Sequence, residues 1–356
     1  AEVCAHIPLE APRTFHEAIQ FVWFMHVIMN IENNGHGESL HRFDQYMNPF
    51  YVADLAAGRI TEEKAIELIQ CFFIKMTDVM KLRDKFYSAS FAGYPLWQNI
   101  IVGGQTPDGK DATNETSFLC LKANAGVQTS QPTMSVRYFK GLNEDLIQEG
   151  LKMIQAGMAT PAFFNDELVV PMVMEKTGCS IEEARNWGIH GCVQPGVAGC
   201  SDGRPTVGYV NTLKCLELTM NNGVDPVTGE QLGPKTGELE TLDTLEKLQN
   251  ALYTQIDYFM DLMIRGCNIV GALHASRQPV AFNSLLMNDC IEKGKSLQSG
   301  GARYSESGAF LVSVGNTADA VAAIDTIVNK EKRLTAKELL DVLACNFEGK
   351  EDIRQM

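Results

Sequence analysis

Trp187-Gly188-Ile189-His190-Gly191-Cys192-Val193-Gln194-Pro195-Gly196 is the stretch on which the reading of this chain turns. Just upstream, Ser180 and Glu183 have capping-box spacing, and Ala184, Trp187 and Ile189 supply apolar positions after it. That spacing predicts a capped helix running straight into a cysteine held in a glycine- and proline-flanked loop. Gly191 lets backbone pack tightly beside the thiol, and Pro195 stops a helix from resuming. Such a loop points one sulfur rigidly inward. Taken alone, Cys192 reads first as a buried structural thiol, the common fate of a single cysteine.

The 356 residues are enough for one large domain or two ordinary ones, and 45% hydrophobic residues allow a sizeable core. A net charge of −14, with no long run of Lys and Arg, argues against nucleic acid as a partner. The most apolar run, residues 21–29, is interrupted by His26 and falls short of the roughly 18 residues that a membrane span needs. The ten cysteines form no CxxC pair, and Cys71, Cys215 and Cys345 sit in apolar helical runs. That usage predicts reduced, buried thiols in a cytoplasmic protein, without disulfides or a metal site. Neither end has the look of a natural terminus, so the expectation is a fragment.

Thr14 and Glu17 open one predicted helix, Thr61 a second, Asn114 a third and Asn143 a fourth with Leu146, Ile147, Leu151 and Ile154 on one face. Residues 96–103 and 133–139 read as strands, and Phe163-Phe164 as a strand end before the polar Asn165-Asp166-Glu167. Beyond the cysteine, residues 209–220 read as helix, residues 245–264 as a long amphipathic helix ended by Gly266, and residues 309–314 as strand. Residues 317–328 follow as helix, and Thr335 with Glu338 forms a last capping box. Strands alternating with helices imply an α/β architecture, in an order too irregular for a doubly wound nucleotide fold. Residues 224–240 are the expected exposed excursion. Gly300-Gly301 lacks the Lys-Ser/Thr of a phosphate-binding loop and reads as a tight turn.

A series of short motifs then runs along the chain. Asn34-Gly35-His36 precedes Arg42-Phe43-Asp44-Gln45-Tyr46, and Gly103-Gly104-Gln105 precedes Asp108-Gly109 and Asp111-Ala112-Thr113-Asn114-Glu115. Gln131-Pro132, Ser135-Val136-Arg137 and Phe164-Asn165-Asp166-Glu167 follow. Asn221-Asn222-Gly223-Val224-Asp225, Ser299-Gly300-Gly301-Ala302-Arg303-Tyr304 and Phe347-Glu348-Gly349 with Arg354-Gln355 complete it. Together with the cysteine loop, this ordered set resembles the glycyl radical enzymes, the family of pyruvate formate-lyase and of the glycerol and choline lyases.

The resemblance covers nearly the whole chain. It implies a ten-stranded α/β barrel ringed by helices, of which residues 1–356 would be the central part. An N-terminal part and a C-terminal glycine-radical domain would lie elsewhere. It also implies a protein-based glycyl radical on a glycine outside this chain, installed by a separate radical S-adenosylmethionine iron–sulfur activase. No other cofactor and no metal are implied. The implied partners are that activase, a small-molecule substrate and a second copy in a homodimer. An oxygen-sensitive enzyme of anaerobic metabolism follows from the same likeness.

Site residues are carried over position by position. Cys192 matches the thiyl cysteine, and Gly191 stands where pyruvate formate-lyase has a second one. Gln194 stands where the eliminating members carry a glutamate base; it keeps the shape but takes no proton at neutral pH. His36 matches a retained histidine, which reads as an acid, a base, a hydrogen-bond donor or a satisfied loop residue. Gly37 and Thr206 stand where the diol dehydratases carry a serine and an aspartate. Arg204 reads as a carboxylate clamp or a surface charge. Tyr138 and Tyr209 read as aromatic substrate walls or as core. His190 reads as packing. The functional expectation is a lyase cleaving a C–C, C–O or C–N bond, as decarboxylase or dehydratase. C–C-forming addition to fumarate and a non-catalytic scaffold are the alternatives.

Overall fold

The computed structural model describes residues 1–34, 37–91 and 96–355, with the side chains of residues 203–206 outside that description. Two compact units divide it: Ala1–Gly203 with Ala275–Glu306, and Arg204–His274 with Ser307–Met356.

The first unit is built on a parallel sheet of β1 (Asn99–Gly103), β2 (Thr133–Tyr138) and β3 (Ala162–Asn165), in that order. Ile100 pairs with Met134, and Val136 with Phe163. The helix Glu115–Val127 carries the chain from β1 to β2, and the helix Glu144–Gln155 from β2 to β3. These are βαβ crossovers, as parallel pairing requires. Every residue of β1 is buried, which is how a parallel strand covered on both faces reads. Residues 37–41 extend the sheet beyond β1: Leu40 N–H donates to Asn99 O at 2.8 Å and Ile101 N–H to His41 O at 2.9 Å.

Polar caps at Thr14, Thr61, Asn114 and Asn143 start helices where the sequence places them, each accepting backbone N–H groups of the first turn. Asn165 does the same for the helix Asp166–Thr177, which the sequence reading did not include. Thr14 makes only half a capping box, because the Glu17 carboxylate turns to Arg13 instead. On Glu144–Gln155 the buried face is Leu146, Gly150 and Met153, while Leu151 and Ile154 are exposed. Gly150 explains the rotation: a Cβ there would lie 2.9 Å from the Phe163 ring, so β3 packs on the glycine.

The cores follow the units. In the first, Phe15, Phe43, Phe72, Phe73, Ile100, Val102 and Leu121 form one cluster, and Ile101, Val173, Trp187, Ile189 and Val197 form another. In the second, β6 (Ser201–Asn211) pairs with β7 (Tyr304–Val312). There Leu216, Leu248, Leu252, Val321 and Ile324 are packed together.

Some expectations are corrected. Residues 209–211 are strand, and the helix is Thr212–Met220, because Asn211 caps it by accepting from Leu213 and Lys214. The long helix runs through Gly266 to Arg277. A helical glycine costs only about 1 kcal/mol, and a contact from Cys267 Sγ to Val207 O lies just beyond it. All ten cysteines are free, but Cys71 and Cys345 are exposed. Cys71 falls off the buried stripe of Ala65, Ile69, Phe72, Phe73 and Met76. Among the described residues no helix is long and apolar enough to cross a membrane.

Candidate active site

The helix opened by Ser180 is a single turn, Ile181–Ala184, and does not reach the cysteine. Trp187, Gly188 and Ile189 are all buried, and the two large apolar side chains stand two residues apart, on one side of an extended segment. β4 (Trp187–His190) pairs antiparallel with β5 (Gln194–Val197), Ile189 opposite Pro195 and His190 opposite Gln194. Gly191, Cys192 and Val193 are therefore the loop of a tight hairpin, and Gly191 takes a left-handed φ of 65°, which glycine adopts without strain. The sequence-level helix fails because Trp187 follows Ala184 by three residues, which counts as helical spacing, whereas the deciding alternation begins only at Trp187.

The hairpin is held at its base by buried charge. Arg137 on β2 makes a bidentate pair with Asp166, at 2.8 and 2.7 Å, with both side chains fully buried. The same guanidinium donates to Trp187 O at 3.1 Å and lies 4.8 Å from the Trp187 ring. Trp187 Nε1 donates back to Asp166 at 2.9 Å. Gly104 makes room for this arginine, since a Cβ there would stand 2.4 Å from its Nε. Arg42 adds bonds to Gly103 O and Arg185 O, and burial beside Arg137 lowers its pKa to about 10. At the outgoing end, Val197 N–H donates to Ser201 Oγ, which donates to Glu306 at 2.7 Å. Lys176 completes that chain at 2.6 Å from Glu306.

At the tip, Cys192 is half-buried and its Sγ lies 3.8 Å from Gln194 Oε1. The same oxygen accepts from Val193 N–H at 3.2 Å. Gln194 thus presents its carbonyl to the thiol. Gly191 N–H donates to Ser39 Oγ at 3.0 Å and to Gly37 O at 3.2 Å, so residues 37–41 lie directly against the cysteine loop. Behind it the His190 ring packs edge-on against His41, with centroids 4.8 Å apart. Gly188 and Gly196 make room for these rings: their Cβ atoms would stand 2.2 Å from His41 Nδ1 and 2.4 Å from His190 Cε1. Burial, then His190, brings the His41 pKa down to about 3, and burial with Lys176 brings His190 to about 4. Both rings are neutral at pH 7.

The structure brings Cys192 and Gln194 together. His36 lies outside the described residues, although its neighbour Gly37 touches the hairpin. The side chains of Arg204 and Thr206, on β6, also lie outside the description. Tyr138 ends β2 opposite Asn165 and is 38% exposed. Tyr209, in the second unit, stacks on Phe310 with centroids 5.4 Å apart. His190 does pack, as its sequence context indicates, but its partner His41 was not foreseen. Nor was Ser39. The glycines at 188 and 196, one beside each strand's ring neighbour, are the signal that points to the histidine pair; Ser39 carries none. Among the described residues no cluster of His, Cys, Asp or Glu is arranged to hold a metal.

A parallel α/β sheet that presents one cysteine on a pinned hairpin defines a class of site. The chain belongs to the pyruvate formate lyase-like family of glycyl radical enzymes, which matches it over residues 1–356. It is 35% identical to trans-4-hydroxy-L-proline dehydratase of Clostridioides difficile, over 99% of this chain and 45% of that protein. It is 34% identical to (2S)-3-sulfopropanediol dehydratase of Klebsiella oxytoca, over 98% of this chain and 42% of that protein. Among solved structures it superposes on the glycerol-bound B12-independent glycerol dehydratase of Clostridium butyricum with a TM-score of 0.94 and 39% identity, covering 99% of this chain and 44% of that one. The fold is therefore part of the glycyl radical enzyme α/β barrel. The chain spans less than half the length of these relatives.

Proposed function

We propose that this chain forms the thiol-bearing part of a glycyl radical lyase in which Cys192 removes a hydrogen atom from a small organic substrate. The observation that supports this most directly is the seating of Cys192 on a three-residue loop anchored on both sides, facing Gln194. A glycyl radical on a glycine outside residues 1–356, installed by a separate radical S-adenosylmethionine iron–sulfur activase, would supply the unpaired electron. Cys192 passes it on because an S–H bond is close in strength to an activated C–H bond, so transfer runs in both directions. The rigid hairpin limits side reactions of the sulfur and holds it at reacting distance. In this reading the enzyme is a cytoplasmic, oxygen-sensitive homodimer of anaerobic metabolism.

Gln194 sets the bond that breaks. Its amide oxygen is engaged by the thiol and by Val193 N–H, and it has no carboxylate to take a proton. The chemistry supported best is loss of a group from the substrate radical without a base at this position. Cleavage of a C–C bond with loss of the substrate's carboxylate group as CO2 meets that condition, since the product takes up a proton and asks for a donor rather than a base. Dehydration is the second reading, favoured by the relatives' names, and there His36 is the residue left to handle the proton. Tyr138, Tyr209, Arg204 and Thr206 are the proposed substrate contacts.

Two measurements test this on the activated enzyme that contains the chain. Cys192→Ala should abolish turnover while leaving the fold and the glycyl electron-spin doublet in place; turnover near that of the parent would remove the thiyl role. A panel of arylacetates, diols and amino alcohols should separate decarboxylation from dehydration by the product formed.

A further inference from the structure

Ser39 is a short polar residue of the sheet-edge segment 37–41, and its hydroxyl joins three pieces of backbone. It accepts N–H groups from Gly191 at 3.0 Å and from Asn99 at 3.2 Å. Its proton is within reach of Gly37 O at 3.2 Å and Trp97 O at 3.4 Å. A hydroxyl has one proton and two lone pairs, so this group is fully used. The Gly191 N–H is shared between Ser39 Oγ and Gly37 O, and the next residue in the chain is Cys192. Asn99 in turn belongs to the fully buried β1. The result is a continuous path from the buried start of β1 to the peptide that carries the thiol: Asn99 N, Ser39 Oγ, Gly191 N, Cys192.

We propose that Ser39 is a positioning residue for hydrogen-atom transfer at Cys192, fixing the hairpin tip so that the sulfur holds its distance to the atoms it exchanges hydrogen with. This rests on the thiyl reading of Cys192 given above. Hydrogen transfer needs the reacting atoms about 3–3.5 Å apart, and a displacement of about 1 Å costs on the order of 100-fold in rate. Removing the hydroxyl leaves the Gly191 N–H with Gly37 O alone, on a loop whose φ 65° glycine is free to hinge. Ser39 itself touches neither sulfur nor substrate in this scheme; it acts through Gly191.

The test needs no substrate. In D2O the Cys192 thiol becomes S–D. The glycyl radical takes that deuterium as the S–D bond breaks and a C–D bond forms. The thiyl then takes back the original hydrogen, and the radical carbon is left bearing deuterium. The electron-spin doublet, which comes from the α-hydrogen, collapses at the rate of this exchange. Ser39→Ala in the activated enzyme should form the radical in parent yield but slow the collapse, per radical, by roughly 10- to 100-fold. Ser39→Thr should restore most of the rate, and Ser39→Cys should fall between. Collapse at the parent rate in Ser39→Ala would overturn the proposal. If Ser39→Ala forms no radical, parent-rate exchange in Ser39→Cys overturns it equally. Cys192→Ser separates the two levels: if the doublet still collapses there at the parent rate, the thiyl reading fails, whatever Ser39 does.

Discussion

Gly37 and Gly191 approach so closely that a Cβ on Gly37 would lie 2.9 Å from the Gly191 Cα. Gly37 also has φ 82°, in the left-handed region. Space and conformation thus both demand glycine at position 37, where the resemblance to the diol dehydratases implies a serine in those enzymes. Gly37→Ser should therefore not convert the site toward diol chemistry. It should strain the loop by about 1–3 kcal/mol and lower the urea unfolding midpoint. A midpoint unchanged from the parent would show that the cysteine hairpin yields easily to its neighbour.

The His41 and His190 rings make the hairpin sensitive to acid. Their pKa values lie at about 3 and about 4, below the ordinary value of 6.5. Well above pH 6.5 both rings are neutral whether folded or unfolded, and they add no pH dependence there. Below it the unfolded chain takes up protons that the folded one refuses, so stability falls with falling pH until the folded values are reached. The slope is at most about 1.4 kcal/mol per pH unit for each ring. Urea titrations between pH 7 and pH 5 should show this loss, and His190→Gln should reduce the slope. An equal slope in the variant would mean that other groups carry the acid sensitivity.

Arg137 and Asp166 are a fully buried pair, and each also bonds Trp187. Removing one partner leaves an uncompensated buried charge. Arg137→Met alone, or Asp166→Leu alone, should cost about 3–5 kcal/mol. The double variant should be less damaged than the sum of the singles, because neither charge is then stranded. Thermal or urea unfolding of all four forms gives the coupling. Additive losses would mean that the pair does not act as a unit.

How far the sequence reveals this site depends on the range of the interactions. Helix starts at Thr14, Thr61, Asn114 and Asn143 were legible because a cap needs only its own first turn. Of the parallel strands, β1 was legible from the apolar run Ile100-Ile101-Val102 before a glycine pair, and β2 from alternation along residues 133–139. The hairpin was not: the capping signal at Ser180 is real, but it supports one turn, and the strand after it is stabilised by Arg137 and Asp166, far away in sequence. Cys192 and Gln194 are legible as a pair because they are neighbours in a motif. Ser39 and His41 were missed because what makes them matter is contact with residues about 150 positions further on. The spacing of Leu146, Ile147, Leu151 and Ile154 predicts one apolar face, but a periodic reading treats glycine as a gap, whereas Gly150 is the contact point and leaves Leu151 and Ile154 exposed.

The absence of a carboxylate two residues after Cys192 has a kinetic signature. Gln194 does not titrate, so the parent enzyme should show no acid limb in kcat that depends on this residue. Gln194→Glu keeps an acceptor oxygen for Val193 N–H, now 3.2 Å away, and replaces the amide nitrogen with a second oxygen. That oxygen can take a proton from a substrate hydroxyl once ionised. The variant should therefore gain an acid limb, with activity rising as the new carboxylate loses its proton. Elimination from diols or amino alcohols should rise by roughly tenfold or more, a conservative share of what general base catalysis supplies. Decarboxylation, which asks for no base here, should not rise with it. Rates unchanged across the diol and amino-alcohol panel, with a flat pH profile, would show that residue 194 does not select the bond that breaks, and the selectivity would then have to come from residues other than this one.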